Sequence, residues 1–354
     1  MKEGKKRVFV ALSGGVDSAV TALLLKQKGY VVTGVFIKIW QPEFTECTWK
    51  EDRLDAIRVA VALGIPFREV DFSGEYKRHV IRDMLDGYAS GITPNPDVLC
   101  NRHIKFGALW EWAKENGADL LATGHHARVR ENENGSYDLL RGVDDEKDQS
   151  YFLWQLTQED LMHLLMPVGE ISKREVRALA TKHALPVAKK RDSQGLCFVG
   201  DVAMQDFLKT LLKTKKGKVI SENSTEIGEH NGAALYTIGQ RHGFRIFKKG
   251  TDDTPHYILN IDVASNTITV TKEKRNLHKE TATLAVIHWI NGVPPTSSFF
   301  CQVRYRQKPQ RCRIESQRKG LLVHFDTPQI ATPGQSLVFY DADRTIGGGV
   351  IVSS

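Results

Sequence analysis

One short stretch near the start of the chain constrains its fold more than any other. Residues 13–18 read Ser-Gly-Gly-Val-Asp-Ser, and an apolar segment, residues 8–12, comes directly before them. Val20, Leu23 and Leu24 follow at the i, i+3, i+4 spacing of an amphipathic helix. The pattern predicts a strand, a glycine turn and a helix, an arrangement in which backbone N–H groups and a helix N-terminus bind an anion.

The side chains of this loop suit a phosphate group. Two glycines allow a close approach of the backbone, Ser13 and Ser18 can donate hydroxyl groups, and Asp17 can hold a magnesium ion or cap the helix. The loop lacks the Gly-Lys-Ser/Thr ending of the common P-loop. It resembles instead the loop of enzymes that split ATP into AMP and pyrophosphate. A plain serine-capped turn is the alternative, but six ordered positions in this context favour a nucleotide site.

The chain up to about residue 205 alternates between strand and helix patterns. Strands are predicted at 31–37, 67–72 and 119–124, helices at 52–63 and around 106–113, and a hairpin at 127–142. Repeated β-α units predict an α/β fold, a mostly parallel sheet with helices on both faces. Ligands of such sheets bind at the carboxyl ends of the strands. The glycine loop and Gly124 both follow such ends, so we expect them to share one pocket.

The character of the sequence changes near residues 205 and 280. A Lys-rich stretch, 207–218, fits a solvated linker and an RNA contact equally well, and a glycine-rich mixed segment follows it. From about residue 280, six short strand patterns are separated by Pro, Gly and Asp turns. They predict a small barrel or sandwich.

Composition narrows the class of protein. No run approaches the ~18–20 apolar residues of a membrane span, and the N-terminus shows no signal or transit segment, which predicts a cytoplasmic protein. The net charge of +7 suits a polyanionic partner. The few cysteines form no Cys-x-x-Cys pair, which argues against a secreted disulfide framework or a four-cysteine zinc site. They are Cys47, Cys100, Cys197, Cys301 and Cys312.

Two of these cysteines lie in contexts that favour chemistry. Cys100 follows a proline-rich loop, residues 93–96, and precedes a helical pattern, so a helix N-terminus would favour its thiolate. Asp97, three residues earlier, can act as a helix cap or as a proton donor and acceptor. Cys197 lies in a polar, glycine-containing stretch. Cys301 and Cys312 fall inside strand patterns and are interpreted as structural, and Cys47 has no assigned role.

Together these segments make the chain resemble the bacterial tRNA-specific 2-thiouridylases, which place sulfur on the wobble uridine of certain tRNAs. The resemblance covers essentially the whole chain. It includes residues 11–18, 36–38, 95–97, 100–102, 104–106, 123–125, 147–153, 195–198, 236–241, 304–306 and 333–335. The aspartate–cysteine pair with a distant second cysteine is more specific than the glycine loop, which several ATP-pyrophosphatase families share.

The resemblance implies an N-terminal adenine-nucleotide α/β domain (1–205), a central tRNA-contacting domain (206–278) and a C-terminal β-barrel (279–354). It also implies residue roles. ATP would be bound by Ala11, Leu12, Ser13, Gly14, Gly15, Val16, Asp17, Ser18, Ile37 and Gly124. The target base would contact Asn95, Pro96 and Asp97, and the tRNA would contact His125, Lys147, Asp148, Gln149, Arg304, Tyr305 and Gln335.

The resemblance further implies a mechanism with two catalytic cysteines, Cys100 and Cys197, assisted by Asp97. ATP, with Mg²⁺ but no permanent metal site, would adenylate uracil O2. Sulfur would then arrive as a persulfide on Cys197, supplied by a cysteine desulfurase or a sulfur-relay protein. AMP would leave, and a Cys100–Cys197 disulfide would remain. Whether the persulfide or free hydrosulfide attacks stays open, as do the tRNAs used and the oligomeric state.

Two other classes of protein share parts of this pattern. One is a different ATP-pyrophosphatase ligase, such as an argininosuccinate- or lysidine-forming enzyme, in which the two cysteines would be idle. The other is a non-catalytic RNA-binding protein with a relic nucleotide loop. The intact loop, with Ser13, both glycines, Asp17 and Ser18 all present, argues against the second class.

Overall fold

The computed structural model describes residues 5–42, 48–192, 204–247 and 254–354. The strands in these ranges form three sheets. Within the same ranges, no helix has both the length and the apolar character that crossing a membrane requires.

The first sheet is parallel throughout. Its strands are β1 Arg7–Ala11, β2 Val31–Lys38, β3 Phe67–Asp71, β4 Leu120–Ala122 and β7 Leu164–Leu165. Between β4 and β7, the hairpin β5 Ala127–Glu131 and β6 Tyr137–Arg141 joins another sheet. The parallel strands lie in the order β3-β2-β1-β4-β7. The chain therefore leaves β1 in one direction and later returns on its other side at β4. The carboxyl ends of β1 and β4 mark the position at which such sheets bind ligands.

Helices cover both faces of this sheet. They are α1 Val16–Gln27, α2 Thr48–Leu63, α3 Ser73–Tyr76, α4 Arg82–Ala89, α5 Pro96–Leu99, α6 Leu109–Glu115, α7 Gln158–Met162 and α8 Lys173–Lys182. Two π-helical segments, Lys77–Ile81 and Cys100–Ala108, connect α3 to α4 and α5 to α6. Short 3-10 turns occur at Ser150–Phe152 and Pro167–Glu170.

Alternation along β1 distributes its side chains between two cores. Val8 and Val10 pack with α1, α2 and α8 on one face of the sheet. Phe9 packs on the other face, against the helical segments that run from residue 73 to residue 115. The predicted mostly parallel sheet with helices on both faces is confirmed.

The second sheet lies in the middle of the chain. It follows α9 Met204–Leu211 and contains β8 Gly217–Ser221, β9 Glu226–His230, β10 Arg245–Ile246, β11 Tyr257–Asp262 and β12 Thr267–Thr271, in the order β10-β9-β8-β12-β11. Phe207 and Leu208 of α9 are buried. The start of the Lys-rich stretch is therefore packed against the protein, whereas Lys209, Lys213, Lys215 and Lys216 are exposed.

The third sheet closes into a six-stranded antiparallel barrel. Its strands are β13 Lys279–Trp289, β14 Ser298–Gln302, β15 Gln310–Gln317, β16 Gly320–Gln329, β17 Ser336–Asp341 and β18 Arg344–Ser353. They follow the order β13-β16-β15-β14-β17-β18, and pairing of β13 with β18 closes the barrel. Cys301 and Cys312 lie in its core, which confirms their predicted structural role.

The β5–β6 hairpin of the N-terminal part extends the wall of this barrel. Leu140 and Leu139 of β6 pair with Arg344 and Thr345 of β18. Arg128 of β5 adds an ion pair to Asp343 at 2.9 Å. The hairpin predicted at 127–142 is present, and β18, with which it pairs, lies more than 200 residues later in the sequence.

Candidate active site

The glycine loop joins β1 to α1, as its sequence predicts. The Ser18 hydroxyl accepts a hydrogen bond from the Ser13 N–H (3.2 Å) and donates one to the Gly15 carbonyl (3.1 Å). Gly14 has a φ of 74°, and a Cβ at this position would collide with the Asp52 carbonyl in α2. Glycine is therefore required at position 14 both by conformation and by space.

The remaining residues predicted to hold the nucleotide surround this loop. Ala11 ends β1 and Ile37 lies near the end of β2, while the side chains of Leu12 and Val16 are buried in the core. Leu12 and Val16 can therefore present only backbone groups to a ligand.

Gly124 packs directly on the first turn of α1. A Cβ on Gly124 would lie 2.7 Å from the Ser18 backbone nitrogen and 3.0 Å from Cβ of Asp17. Any larger residue would push β4 away from the loop. The structure thus brings Gly124 and the loop together, as the parallel-sheet pattern predicts.

Asp17 is held by two residues from outside the loop. Both of its carboxylate oxygens accept hydrogen bonds from Lys173 Nζ at 2.7 Å, and Oδ1 lies 3.2 Å from His126 Nε2. Burial disfavours the charged carboxylate, but the bonds to His126 and Lys173 outweigh it and lower the pKa of Asp17 below its ordinary value. Asp17 is thus an ionised carboxylate at neutral pH, and it does not cap α1, whose first residues receive no side-chain cap.

Two consecutive histidines connect the glycine loop to the helix that carries Cys100. His126 contacts Asp17, as described above. The neighbouring His125 is buried, with Nδ1 2.8 Å from the Thr123 hydroxyl and Nε2 3.4 Å from Lys105 Nζ. Burial, together with the positive charge of Lys105, holds the pKa of His125 well below its ordinary value, so the ring is neutral.

The helix around Cys100 begins at Pro96, two residues earlier than a cap at Asp97 would place it. Asn95 caps it, with its side chain accepting a hydrogen bond from the Val98 N–H at 3.4 Å, and Pro96 occupies the first helical position. Asp97 therefore lies inside the first turn and is not the cap. A residue before proline favours extended backbone, which is also what a cap requires, and Asn95 satisfies both conditions.

Cys100 lies at the start of the π-helical segment and is buried, with 7% of its surface exposed. Lys105 lies on the same segment. Burial raises the pKa of Asp97, and the positive charge of Lys105 partly opposes that rise. A raised pKa makes the Asp97 carboxyl group better able to hold a proton than an exposed aspartate, which suits a proton-transfer group.

The predicted tRNA-contacting stretch 147–149 makes internal contacts. Lys147 Nζ lies 2.8 Å from Asp192. The Gln149 side chain accepts a hydrogen bond from the His126 N–H at 2.9 Å. Asp148 is buried and accepts a hydrogen bond from Arg141 at 2.9 Å. Asp148 and Gln149 thus organise the segment around His126, whereas part of the Lys147 side chain is accessible.

Arg304 and Tyr305, from the barrel, lie beside the residues that precede the Cys100 helix. The Tyr305 ring packs on Phe152 with centroids 4.5 Å apart. Tyr151 shares a hydrogen bond with the Asn95 side chain, and the exposed Arg304 lies near Tyr151. An aromatic and cationic surface therefore borders the predicted target-base residues.

Residues 93–95 are fixed from two directions. Gln335 of the barrel donates hydrogen bonds to the carbonyls of Thr93 (2.8 Å) and Pro94 (3.1 Å). The Thr93 hydroxyl lies 3.0 Å from the hydroxyl of Thr237 in the middle of the chain. The position of Asn95 thus depends on all three parts of the chain.

Gln335→Ala is expected to lower the free energy of unfolding by about 1–3 kcal/mol, because two half-buried carbonyls lose their donor. The measurement is urea unfolding of the full chain followed by circular dichroism. Gln317→Ala is the matched control, since Gln317 is exposed on the same barrel, and a change within about 0.5 kcal/mol is expected. Equal effects of the two substitutions would show that the hydrogen bonds from Gln335 to Thr93 and Pro94 do not stabilise the fold.

Two predicted residues cannot be placed. Cys197 and Cys47 lie outside the described residues, so the predicted Cys100–Cys197 disulfide stays a prediction. Among the residues that the structure describes, no three or more His, Cys, Asp or Glu side chains are grouped so that they could hold a metal ion.

The sequence analysis assigned no role to several residues of this site. Lys173, Asp192 and His126 contact one another or Asp17, and Lys105 contacts His125. His126 and Lys105 lie beside recognised segments, 123–125 and 104–106, which could have drawn attention to them. Lys173 has no such signal, because its partner Asp17 is distant in sequence.

Three family models match consecutive stretches of the chain. Residues 6–201 match a model described as the tRNA methyl transferase HUP domain, residues 205–272 the tRNA methyl transferase PRC-barrel domain, and residues 279–351 the Aminomethyltransferase beta-barrel domain.

Two similar curated proteins are both described as tRNA-specific 2-thiouridylase MnmA. The protein from Francisella tularensis subsp. novicida is 44% identical, and the match covers 98% of this chain and 99% of the relative. The protein from Francisella philomiragia subsp. philomiragia is 43% identical with the same coverage.

Among solved structures, the U34-tRNA thiolase NcsA from Methanococcus maripaludis is 18% identical with a TM-score of 0.36. That match covers 59% of this chain and 64% of the other. A 4-thiouridine synthetase in complex with RNA and ATP is 19% identical with a TM-score of 0.34, covering 54% of this chain and 44% of the other.

Proposed function

The chain belongs to the tRNA-specific 2-thiouridylase family, and we propose on that basis that it replaces O2 of the wobble uridine, position 34 of tRNA, with sulfur. ATP is the activating substrate, and AMP and pyrophosphate are its products. The enzyme is thus a tRNA-uridine 2-sulfurtransferase.

The pair of histidines at 125 and 126 is the observation that carries this proposal. His126 touches Asp17 of the glycine loop, and His125 touches Lys105 on the helix that bears Asp97 and Cys100. Two adjacent residues therefore join the nucleotide loop to the helical segment that carries Cys100. A ligase that needs no thiol would have no use for this arrangement, whereas sulfur transfer to an adenylated base needs both groups close together.

The first half of the reaction activates the base. O2 of uracil attacks the α-phosphate of ATP and pyrophosphate leaves, which turns a poor leaving group into AMP. We assign the backbone of residues 11–18, Ile37 and Gly124 to ATP, and Asn95, Pro96 and Asp97 to the target base. The target base must leave its stack to reach them. Asp97, with its raised pKa, is placed to take part in proton transfer.

The second half transfers sulfur. The outer sulfur of a Cys197 persulfide attacks C2 and AMP leaves with its bonding electrons. The Cys100 thiolate then attacks Sγ of Cys197, which breaks the S–S bond to the base and leaves 2-thiouridine and a Cys100–Cys197 disulfide. If hydrosulfide is the attacking species, Cys100 forms the same disulfide one step earlier. An external thiol must reduce the disulfide, and a cysteine desulfurase or sulfur-relay protein must reload Cys197.

Magnesium fits the side chains at the glycine loop. Mg²⁺ prefers oxygen ligands and is bound in such sites by one or two carboxylates together with substrate phosphates. Asp17 is an ionised carboxylate there, and the Ser13 and Ser18 hydroxyls lie beside it. Bound with ATP, the ion would neutralise the charge of the departing pyrophosphate.

The surfaces for tRNA are assigned on the same basis. Lys147, Arg304 and Tyr305 offer charge and an aromatic face, whereas His125, Asp148, Gln149 and Gln335 make the internal hydrogen bonds described above. We propose that these four shape the tRNA site, and that the three domains implied by the sequence, 1–205, 206–278 and 279–354, meet around it.

Incubation of the protein with ATP, Mg²⁺, a persulfide donor and unmodified tRNA is expected to yield AMP and pyrophosphate in step with 2-thiouridine. The measurement is nucleotide chromatography together with mass spectrometry of digested tRNA. ADP as the stoichiometric product would contradict the nucleotide site. Methylated uridine, which the names of two domain models would suggest, has a different mass from the thiolated base and would contradict sulfur transfer.

A further inference from the structure

Lys173 places a cation against the glycine loop, although no motif marks it in the sequence. It is the first residue of α8, and its side chain is 12% exposed. Its Nζ lies 2.7 Å from both carboxylate oxygens of Asp17 and 2.9 Å from Oδ1 of Asp192. The ammonium group is therefore located at the anion-binding end of α1.

Lys173 belongs to a cluster of cationic side chains that share the carboxylates of Asp17 and Asp192. The Asp192 carboxylate contacts two further cations: its Oδ2 lies 2.8 Å from Nζ of Lys147, and its Oδ1 lies 2.5 Å from Nη2 of Arg177. Burial opposes the charged form of Asp192, but hydrogen bonds from Lys147 and Lys173 hold its pKa well below the ordinary value. Three cations thus face the carboxylates of Asp17 and Asp192, and the Asp144 carboxylate accepts a hydrogen bond from the Lys173 backbone N–H at 2.9 Å.

The proposed substrate creates a need for this charge. The common P-loop carries its own lysine for the phosphates, and residues 13–18 have none. Asp17 adds a negative charge in the first turn of α1, where the phosphates would arrive. A polyphosphate is repelled there unless cations compensate both Asp17 and its own charge.

We propose that Lys173 is a phosphate-binding residue for the pyrophosphate part of ATP, exchanging its bond to Asp17 for one to a phosphate oxygen. Lysine serves well as such a point charge, and the exchange frees the Asp17 carboxylate for Mg²⁺. The inference rests on the proposed function. It predicts that Lys173 contributes to binding of the β- and γ-phosphates but not of AMP.

The test is isothermal titration calorimetry of the full chain with Mg·ATP, Mg·pyrophosphate and AMP in turn. Lys173→Met is expected to weaken Mg·ATP and Mg·pyrophosphate by the same factor, about 10- to 100-fold, with AMP affinity within about twofold of wild type. Lys190→Met is the matched control, because Lys190 also bridges two carboxylates, Asp52 and Asp55, but bonds to no side chain of the loop.

A second variant covers the case in which Lys173→Met does not fold. Asp192→Asn removes a competing carboxylate from Lys173 and keeps the size of the side chain. It is expected to bind Mg·pyrophosphate at least about threefold more tightly, because the cluster gains net positive charge.

Three results would overturn the inference. One is wild-type affinity of Lys173→Met for Mg·ATP, and another is an equal loss of AMP and Mg·ATP binding, which would show a purely structural lysine. The third is weaker pyrophosphate binding by Asp192→Asn. Wild-type protein that binds none of the three ligands would overturn the proposed function, and this inference with it.

Discussion

Cys100→Ser is expected to abolish tRNA thiolation while ATP cleavage continues. Serine cannot form the S–S bond that releases the sulfur, so the rate of 2-thiouridine formation should fall by at least about 10³-fold. Adenylation of the base requires the glycine loop and Asn95–Asp97 but no thiol. The measurement is 2-thiouridine by mass spectrometry and AMP by chromatography from the same reaction.

The remaining cysteines supply the controls. Cys301→Ala leaves a small cavity in the barrel core and is expected to keep the wild-type thiolation rate. Cys197→Ser should match the loss seen in Cys100→Ser and should also prevent persulfide loading, detected by mass spectrometry of the intact protein. A Cys197→Ser protein that thiolates at the normal rate would exclude Cys197 as the sulfur carrier.

Asp17→Ala is expected to remove Mg²⁺-dependent pyrophosphate formation, with a decrease of about 100-fold or more, because the loop loses the carboxylate that we propose binds the metal. The fold should persist, since Lys173 retains Asp192 as a partner. The measurement is pyrophosphate release at several Mg²⁺ concentrations, together with a thermal melt to confirm folding.

Asp119→Ala is the matched control for Asp17→Ala. Asp119 and Arg7 form an exposed ion pair at the amino ends of β4 and β1, opposite the ends that carry the glycine loop and Gly124. The loss of Asp119 is expected to leave pyrophosphate release unchanged. An Asp17→Ala protein that is as active as wild type at low Mg²⁺ would show that the carboxylate does not serve the metal.

Local periodicity was sufficient to predict the N-terminal sheet. The strand patterns at 31–37 and 67–72 match β2 and β3 to within one residue at each end. β2 is a mostly apolar run, as is typical of a buried parallel strand, whereas β3 lies at the edge of the sheet and is largely exposed. The contact between Gly124 and the loop followed from the rule that parallel strands end at one edge. The same reasoning could not identify Lys173, since its contact with Asp17 joins residues 156 positions apart.

Other features had competing local signals. Asp97 and Asn95 are both good capping residues, and only the backbone conformation before Pro96 decides between them. The π-helical turn after Cys100 has no distinctive composition. The pairing of β6 with β18 depends on the final arrangement of the barrel, which alternation along single strands does not specify.

The pairing of β6 with β18 also bears on the order in which the chain can fold during synthesis. β6 leaves the ribosome early, and the strand that covers its edge is the last one made. Domains generally fold as units as they emerge. The N-terminal α/β domain, however, retains an unpaired edge on β6 until β18 has been made, and an unpaired edge is a template for association with other chains. The nascent protein therefore completes its nucleotide-binding half only when the barrel closes, and nearly full-length fragments are the species most exposed to aggregation.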